Sequence, residues 1–101
     1  MHIDQTRLYR LSVVIDEKNL TRAANRLGLT QPTLSASIAQ FEEELGVKLL
    51  DRGRHGAVPT VYGSALYERS RAIESELKRA AQDLQEISSA EAGHLAIGAE
   101  I

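Results

Sequence analysis

Residues 21–45 constrain the fold more than any other stretch, because they hold two short helical patterns separated by one glycine. The first pattern places Ala23, Ala24 and Leu27 on one face of a helix, and Gly28 ends that helix. The second pattern follows a Thr-Gln-Pro segment, which is typical of a helix N-terminus. Its apolar residues recur at helical spacing: Leu34, Ile38, Phe41 and Leu45. Two short helices joined by such a turn predict a helix-turn-helix.

Regular structure is also predicted on both sides of this pair. Residues 4–17 have the apolar spacing of an amphipathic helix. Residues 47–50 and 57–59 predict two short strands that flank a basic, turn-rich loop. Thr60 is expected to cap a long helix that runs from about residue 61 to about residue 88. Gly63 in its first turn is expected to allow close packing. The predicted fold class is mainly α: a winged helix-turn-helix of three helices and a small β-wing, followed by a long dimerisation linker helix.

The long helix carries a seam of residues in heptad spacing. The seam consists of Leu66, Ser70, Ile73, Leu77, Ala80, Leu84 and Ile87. A helix of about 28 residues is about 40 Å long, which exceeds the reach of a body of about 60 residues. The seam is therefore predicted to pair with a second copy of the chain. The alternative is that it packs on the core of its own chain.

Three segments are predicted along the chain. Residues 1–60 form the winged helix-turn-helix, and residues 61–90 form the linker helix. Residues 91–101 are expected to form a hinge and the first strand of a further domain, because a small-residue stretch precedes an apolar segment there.

Composition restricts the class of protein. The chain has no cysteine, which excludes disulfides and thiolate metal sites and is compatible with a reducing cytoplasm. It has neither a run of 18 apolar residues nor a signal pattern, so no membrane partner is expected. Net charge is −2, but residues 1–60 hold eight Lys/Arg against seven Asp/Glu, and residues 61–101 hold four against seven. Local basic groups in the first segment suit a nucleic-acid-binding module.

The second helix of the pair is the candidate surface for recognising double-stranded DNA in the major groove. No charged residue occurs between Leu27 and Phe41, so amide and hydroxyl groups are left for base edges. Gln31 suits an adenine edge, Ser35 suits a base edge or a phosphate, and Ala36 suits a thymine methyl group. The candidate contacts on this helix are Thr30, Gln31, Pro32, Thr33, Ser35, Ala36, Ser37 and Gln40.

Basic residues near this helix are candidates for contacts with the DNA backbone. Arg22 and Arg26 lie four apart on the first helix, which Thr21 is expected to cap. The wing supplies a basic cluster suited to a minor groove, consisting of Arg52, Arg54 and His55. The alternative is that the helix arginines serve solubility and that Arg52 pairs with Asp51 or Glu44.

Several motifs of the chain match those of one known family. They are Leu20-Thr21-x-Ala23-Ala24-x-x-Leu27, Thr30-Gln31-Pro32-x-Leu34-Ser35-x-x-Ile38, Phe41-Glu42-x-x-Leu45-Gly46-x-x-Leu49-Leu50-x-Arg52, Pro59-Thr60-x-x-Gly63 and Gly93-x-Leu95-x-Ile97-Gly98. On these residues the chain resembles the N-terminal region of the bacterial LysR-type transcriptional regulators. The resemblance implies a dimer that binds a pseudo-palindromic operator, with a phosphate contact at Thr21, and a full-length protein that forms a tetramer. It also implies a further C-terminal domain that binds a small-molecule effector, and no cofactor is expected.

The sequence departs from the family pattern at three positions. Ala36 stands where the family often has Arg, Pro59 where it usually has Leu, and Tyr62 where it usually has Ala. The missing Arg predicts the loss of a guanine-directed contact and a preference for A·T base pairs.

Two other functions compete with this interpretation. One is a molybdate-regulator-type winged helix, which has a similar Gln-Pro-x-x-Ser motif. The other is a helix-mediated protein-interaction module, against which the basic wing argues. An enzyme is not expected, because the sequence has no recognisable nucleophile–base pair, phosphate-binding glycine loop or metal-ligand spacing.

Overall fold

The computed structural model describes residues 1–53 and 56–100, and it describes side chains as far as residue 93 at the C-terminal end. This part of the chain contains the predicted helix-turn-helix and wing, followed by a long helix. The elements in order are α1 (Gln5–Glu17), α2 (Leu20–Leu27), α3 (Gln31–Leu45), β1 (Leu50–Gly53), β2 (Gly56–Pro59) and α4 (Val61–Glu100). They fall into two compact units, Met1–Arg71 and Ala72–Ile101.

Side-chain caps determine where the helices of the pair begin. The Asn19 side chain accepts a hydrogen bond from the Arg22 backbone N–H at 2.9 Å and caps α2. The prediction that Thr21 caps this helix is therefore wrong, because an asparagine two residues earlier supplies the acceptor and Thr21 lies inside the helix. Thr30 caps α3 as expected, since its Oγ1 accepts from the Thr33 N–H at 3.3 Å.

The core of the first unit lies between α1, α2 and α3. Its largest fully buried side chains are Phe41, Leu11, Leu34, Ile38, Leu49, Val13 and Val14. The predicted stripe of α3 is confirmed, because all four of its apolar residues are buried. Ala23 and Ala24 are also buried, and their small side chains allow α2 to pack closely. This packing holds the opposite face of α3 towards solvent.

The first strand of the wing begins later than predicted. It spans Leu50–Gly53, not residues 47–50, and pairs antiparallel with Gly56–Pro59. The reason is the register: Leu50 pairs with Pro59, so residues 47 and 48 would need partners at 62 and 61, where α4 has already begun. Glu42 Oε2 accepts from the Leu49 N–H at 2.7 Å, and Leu49 O accepts from the Thr60 N–H at 3.0 Å. These bonds connect the segment that precedes β1 to α3 and to the residue that caps α4.

The first turn of α4 passes very close to the wing, as expected from a glycine at position 63. Gly63 is buried, and a Cβ atom there would lie 2.1 Å from Leu49 O. One turn further on, Leu66 packs against the core of its own chain. The start of α4 therefore belongs to the winged domain, and Leu66 is not free for the predicted dimer seam.

The C-terminal part of α4 differs from the expectation. The helix was expected to end near residue 88 and a strand to follow over 94–101, but α4 continues to Glu100. In residues 1–53 and 56–100 the sheet consists of β1 and β2, so no strand is available to pair with this segment. A helix satisfies its own backbone hydrogen bonds, and each of the two glycines in this part of α4, Gly93 and Gly98, costs it only about 1 kcal/mol. The assignment of residues 91–101 to a further domain stays a prediction.

Candidate nucleic-acid interface

The exposed face of α3 collects most of the residues on this helix and its cap that the sequence predicts to contact DNA. Thr30, at the cap, is exposed, and its hydroxyl donates to Thr33 Oγ1 at 2.7 Å. The other exposed candidates on this helix are Gln31, Pro32, Thr33, Ala36 and Gln40. Ser35 is half-buried at one edge of the face. The face is uncharged and carries amide, hydroxyl and small apolar groups, which suits contacts with base edges.

Ser37 does not belong to this face, although the sequence suggested it. It is buried, and its Oγ accepts a hydrogen bond from Arg10 Nη1 of α1 at 3.1 Å. Position 37 adjoins the buried stripe at Ile38, and α1 covers that side of α3. Ser37 therefore contributes to the packing of two helices.

The two arginines of α2 differ in their surroundings. Arg22 is exposed, and no ion pair involves it in the described part of the chain. Arg26 Nη1 lies 3.3 Å from Glu17 Oε2 and 3.8 Å from Asp16 Oδ2, both near the end of α1. The nearby carboxylates offset part of the positive charge of Arg26, so Arg22 is the stronger candidate for a phosphate contact.

Asp16 also connects α1 to the start of α4. The Tyr67 hydroxyl donates to Asp16 Oδ1, and Arg71 Nη1 donates to the Tyr67 oxygen at 3.3 Å. The hydrogen bond that Arg71 donates to Tyr67 raises the pKa of Arg71, and the Arg71 guanidinium lies 5.8 Å from the centre of the Tyr67 ring. Polar contacts therefore reinforce the packing of α4 within the first unit.

Arg52 reaches back from β1 to the recognition helix. Its Nη1 donates to Ser35 Oγ at 2.6 Å. Within the described residues, Arg52 forms no ion pair with Asp51 or Glu44. Glu44 pairs with Arg7 instead. The other two predicted wing residues, Arg54 and His55, lie outside the described residues.

Sequence reasoning missed three polar residues that position α3. Arg7 and Arg10 of α1 donate to Glu44 and Ser37. Glu42 accepts from the backbone of Leu49 and Leu50 at 2.7 and 3.3 Å. Glu42 begins a run of three glutamates, which is a pattern typical of a solvated surface, and only its position directly after buried Phe41 indicates an inward role.

The predicted dimer seam divides into a packed start and an exposed remainder. Leu66 and Ser70 are half-buried in the first unit. The exposed fractions of the later large residues are 44% for Ile73, 66% for Leu77, 69% for Leu84 and 57% for Ile87, and Ala80 is also exposed. Exposure of so many large apolar side chains at heptad spacing is unusual for a helix that stays single.

Two other kinds of functional feature are absent from the described residues. Among them, no helix is long and apolar enough to cross a membrane. No group of three or more His, Cys, Asp or Glu side chains within that part of the chain is arranged to hold a metal ion.

Comparison with known proteins identifies the family of this fold. The family model described as bacterial regulatory helix-turn-helix protein, lysR family, matches residues 6–64, which is more than half of the chain. The chain belongs to the LysR family. The match includes α1, the helix-turn-helix pair, the wing and the first turn of α4.

The relatives of the chain are named as regulators. The HTH-type transcriptional regulator CbbR of Sinorhizobium medicae is 43% identical over 76 residues, which cover 75% of this chain and 24% of the relative. The chain spans about a quarter of the length of the first curated relatives that it matches.

Solved structures agree with the winged helix-turn-helix. The complex of the BenM DBD with catB site 1 DNA has a TM-score of 0.75 and 30% identity, and the match covers 88% of this chain and 96% of that one. The CbnR DBD–DNA complex has a TM-score of 0.70 and 28% identity, covering 85% and 99%.

Proposed function

We propose that this chain is the DNA-binding part of a transcriptional regulator and that it recognises an operator through the exposed face of α3. The observation that carries the proposal is the uncharged polar face at the N-terminal half of this helix. In this chain, α3 presents Gln31, Pro32 and Ala36 to solvent. These side chains suit adenine and thymine edges. The neighbours of known structure that contain DNA support the same function.

The charges around this face support a division of labour. The helix has no ionic group among its exposed candidates, and the flanking elements supply Arg22 and Arg52. In this proposal contacts between Arg22 and the phosphates of the DNA backbone fix the register, and α3 selects the sequence. The lack of Arg at position 36 favours A·T base pairs there, and a selected site with an invariant guanine opposite Ala36 would contradict this preference.

We also propose that two copies of the chain bind together through α4. The exposed residues Ile73, Leu77, Leu84 and Ile87 support a paired seam, because pairing removes their apolar surface from water. Sedimentation equilibrium of wild type and of Leu77→Asp tests this. We expect a dimer for wild type and a monomer for the variant, and Lys78→Asp, one position off the seam, is the control and should remain a dimer. A monomeric wild type would contradict the proposal.

Selection of bound duplexes from a random pool, followed by gel shift at two salt concentrations, tests the DNA-binding function. We expect one consensus with two half-sites separated by about one duplex turn, roughly 34 Å, or a multiple of it. Each phosphate contact should steepen the logarithmic salt dependence by about 0.9. The competing function, a protein-interaction module, predicts no enriched sequence and no salt-dependent shift.

The family resemblance supports further proposals for the whole protein. We propose a cytoplasmic regulator in which a C-terminal domain binds a small-molecule effector and in which the full-length chains form a tetramer. The share of the relatives' length that this chain spans is consistent with a further domain. Light scattering of the full-length protein, with a tetramer expected, tests the assembly.

A further inference from the structure

The wing and the recognition helix are connected by one side-chain hydrogen bond at the edge of the exposed face. Arg52 lies on β1, opposite Ala57 of β2, and its Nη1 donates to Ser35 Oγ at 2.6 Å. This contact with α3 differs from the minor-groove contact that the sequence predicts for Arg52. The bond brings a positive charge next to a hydroxyl that the proposed function places near base edges.

The chemistry of this pair restricts what Ser35 can do. A serine hydroxyl can donate its hydrogen and accept at its lone pairs, whereas a guanidinium only donates. The Arg52 bond occupies acceptor capacity of the Ser35 oxygen and polarises its O–H, but it leaves the hydrogen free. Helical serines often donate to a carbonyl one turn earlier. No such bond from Ser35 is present in the described part of the chain, although Ser12 makes one to Tyr9 O at 2.6 Å.

We propose that Arg52 is a positioning residue that makes Ser35 a hydrogen-bond donor to a base edge in the major groove. This inference rests on the proposed DNA-binding function and names the specificity of one of its contacts. Guanine, adenine and thymine each present an acceptor in the major groove, whereas cytosine presents an amino donor. Ser35 therefore discriminates against cytosine at the base it faces, and Arg52 enforces that choice without contacting the base.

A base edge is favoured over a phosphate as the acceptor because of the position of Ser35. It lies on the second turn of α3, beside exposed Gln31 and Ala36, and the N-terminal residues of a recognition helix are the ones that meet base edges. A phosphate oxygen would accept the same hydrogen bond but would give no dependence on the base. The two sources of the acceptor are thus separable by experiment.

The test is a double-mutant cycle with Arg52→Lys and Ser35→Ala, measured by fluorescence anisotropy on the selected duplex. Each protein is also measured on four duplexes that differ at one position only. At the position where Ser35→Ala changes binding most, they carry A, C, G or T. Arg52→Lys keeps the charge, so its salt slope should match wild type while the geometry of the guanidinium is lost. We expect Arg52→Lys to weaken binding about fivefold in the wild-type background and hardly at all in the Ser35→Ala background. Discrimination against cytosine should fall to the same level in both single variants.

Arg22→Lys is the matched control, because it changes an exposed arginine in the same way on the other flank of α3. Its effect should be equal in the two backgrounds, since Arg22 has no contact with Ser35 among the described side-chain bonds. Thermal unfolding of each variant checks that the fold is kept.

Different results separate the failure of this inference from the failure of the proposed function. An Arg52→Lys effect that is equal in both backgrounds overturns the positioning role. A Ser35→Ala loss that is equal for all four bases assigns the acceptor to a phosphate and overturns the specificity claim. Wild-type protein that binds no duplex overturns the proposed function itself, and the inference falls with it.

Discussion

The close approach of α4 to the wing gives a stability prediction whose size follows from the structure. A Cβ atom on residue 63 would lie 2.1 Å from Leu49 O, and real Cβ contacts essentially never come closer than 3.0 Å. Gly63→Ala must therefore push the two elements apart by about 0.9 Å, and the obstacle is backbone rather than a flexible side chain. Leu49 cannot move freely, because its N–H bonds to Glu42 and its carbonyl accepts from Thr60.

The expected net cost of Gly63→Ala is about 2–3 kcal/mol. Overpacking costs about 1–3 kcal/mol, and the strained Thr60–Leu49 hydrogen bond adds about 1 kcal/mol. The better helix propensity of alanine offsets up to about 1 kcal/mol of this. Urea unfolding followed by circular dichroism measures the change, and a thermal scan should show a midpoint lower by about 10–20 °C.

Gly53→Ala is the matched control for this experiment. Gly53 lies in the same domain at the end of β1, and a Cβ atom there meets nothing within 4 Å among the residues that the structure describes. We expect this variant to unfold within about 0.5 kcal/mol of wild type. Equal stability of Gly63→Ala and Gly53→Ala would refute the close approach.

Three further predictions concern caps, wing anchoring and charge. Asn19→Ala should destabilise the chain by about 1 kcal/mol, whereas Thr21→Ala should cost much less, and urea unfolding of both variants tests which residue caps α2. Glu42→Gln should lose about 1 kcal/mol because a neutral amide replaces the carboxylate that accepts from two backbone N–H groups, and equal unfolding midpoints would contradict that role. Arg22→Ala should weaken DNA binding and flatten its salt slope more than Arg26→Ala does, because carboxylates near the end of α1 hold Arg26; equal slopes in anisotropy titrations would contradict this.

Much of the fold could be predicted from local sequence signals. The helix-turn-helix follows from the buried stripe of α3, the small residues at 23 and 24 and the glycine between the helices. The capping threonine at 30 and the glycine at 63 also matched their predicted roles. These features depend on helical periodicity and on local backbone geometry. Both can be recognised from the residue types at nearby positions in the sequence.

The predictions failed where a tertiary contact decided the outcome. Nothing local shows that β2 pairs Pro59 with Leu50, which makes β1 begin at Leu50. Similarly, the burial of Ser37 depends on Arg10, which is 27 residues away in the sequence. The predicted strand at the C-terminal end failed for a related reason, since a strand requires a partner and a helix does not.

Most residues of the candidate site could be predicted from the sequence, but the hydrogen bonds and ion pairs that join them to other elements could not. The exposed set from Gln31 to Gln40 follows from the opposite face of the buried stripe. The pairing of Arg52 with Ser35 and of Arg26 with Glu17 joins separate elements, and spacing within one helix carries no information about such pairs.

The central claim is that the exposed, uncharged face of α3 selects the DNA sequence. The most direct measurement is the ratio of affinities for the selected duplex and a scrambled duplex, compared between wild type and Gln31→Ala. We expect wild type to prefer the selected duplex by a factor of about 10³ or more. Gln31→Ala should lower that ratio about tenfold while leaving affinity for the scrambled duplex unchanged. A wild-type ratio near one, or an equal loss for both duplexes, would contradict the claim.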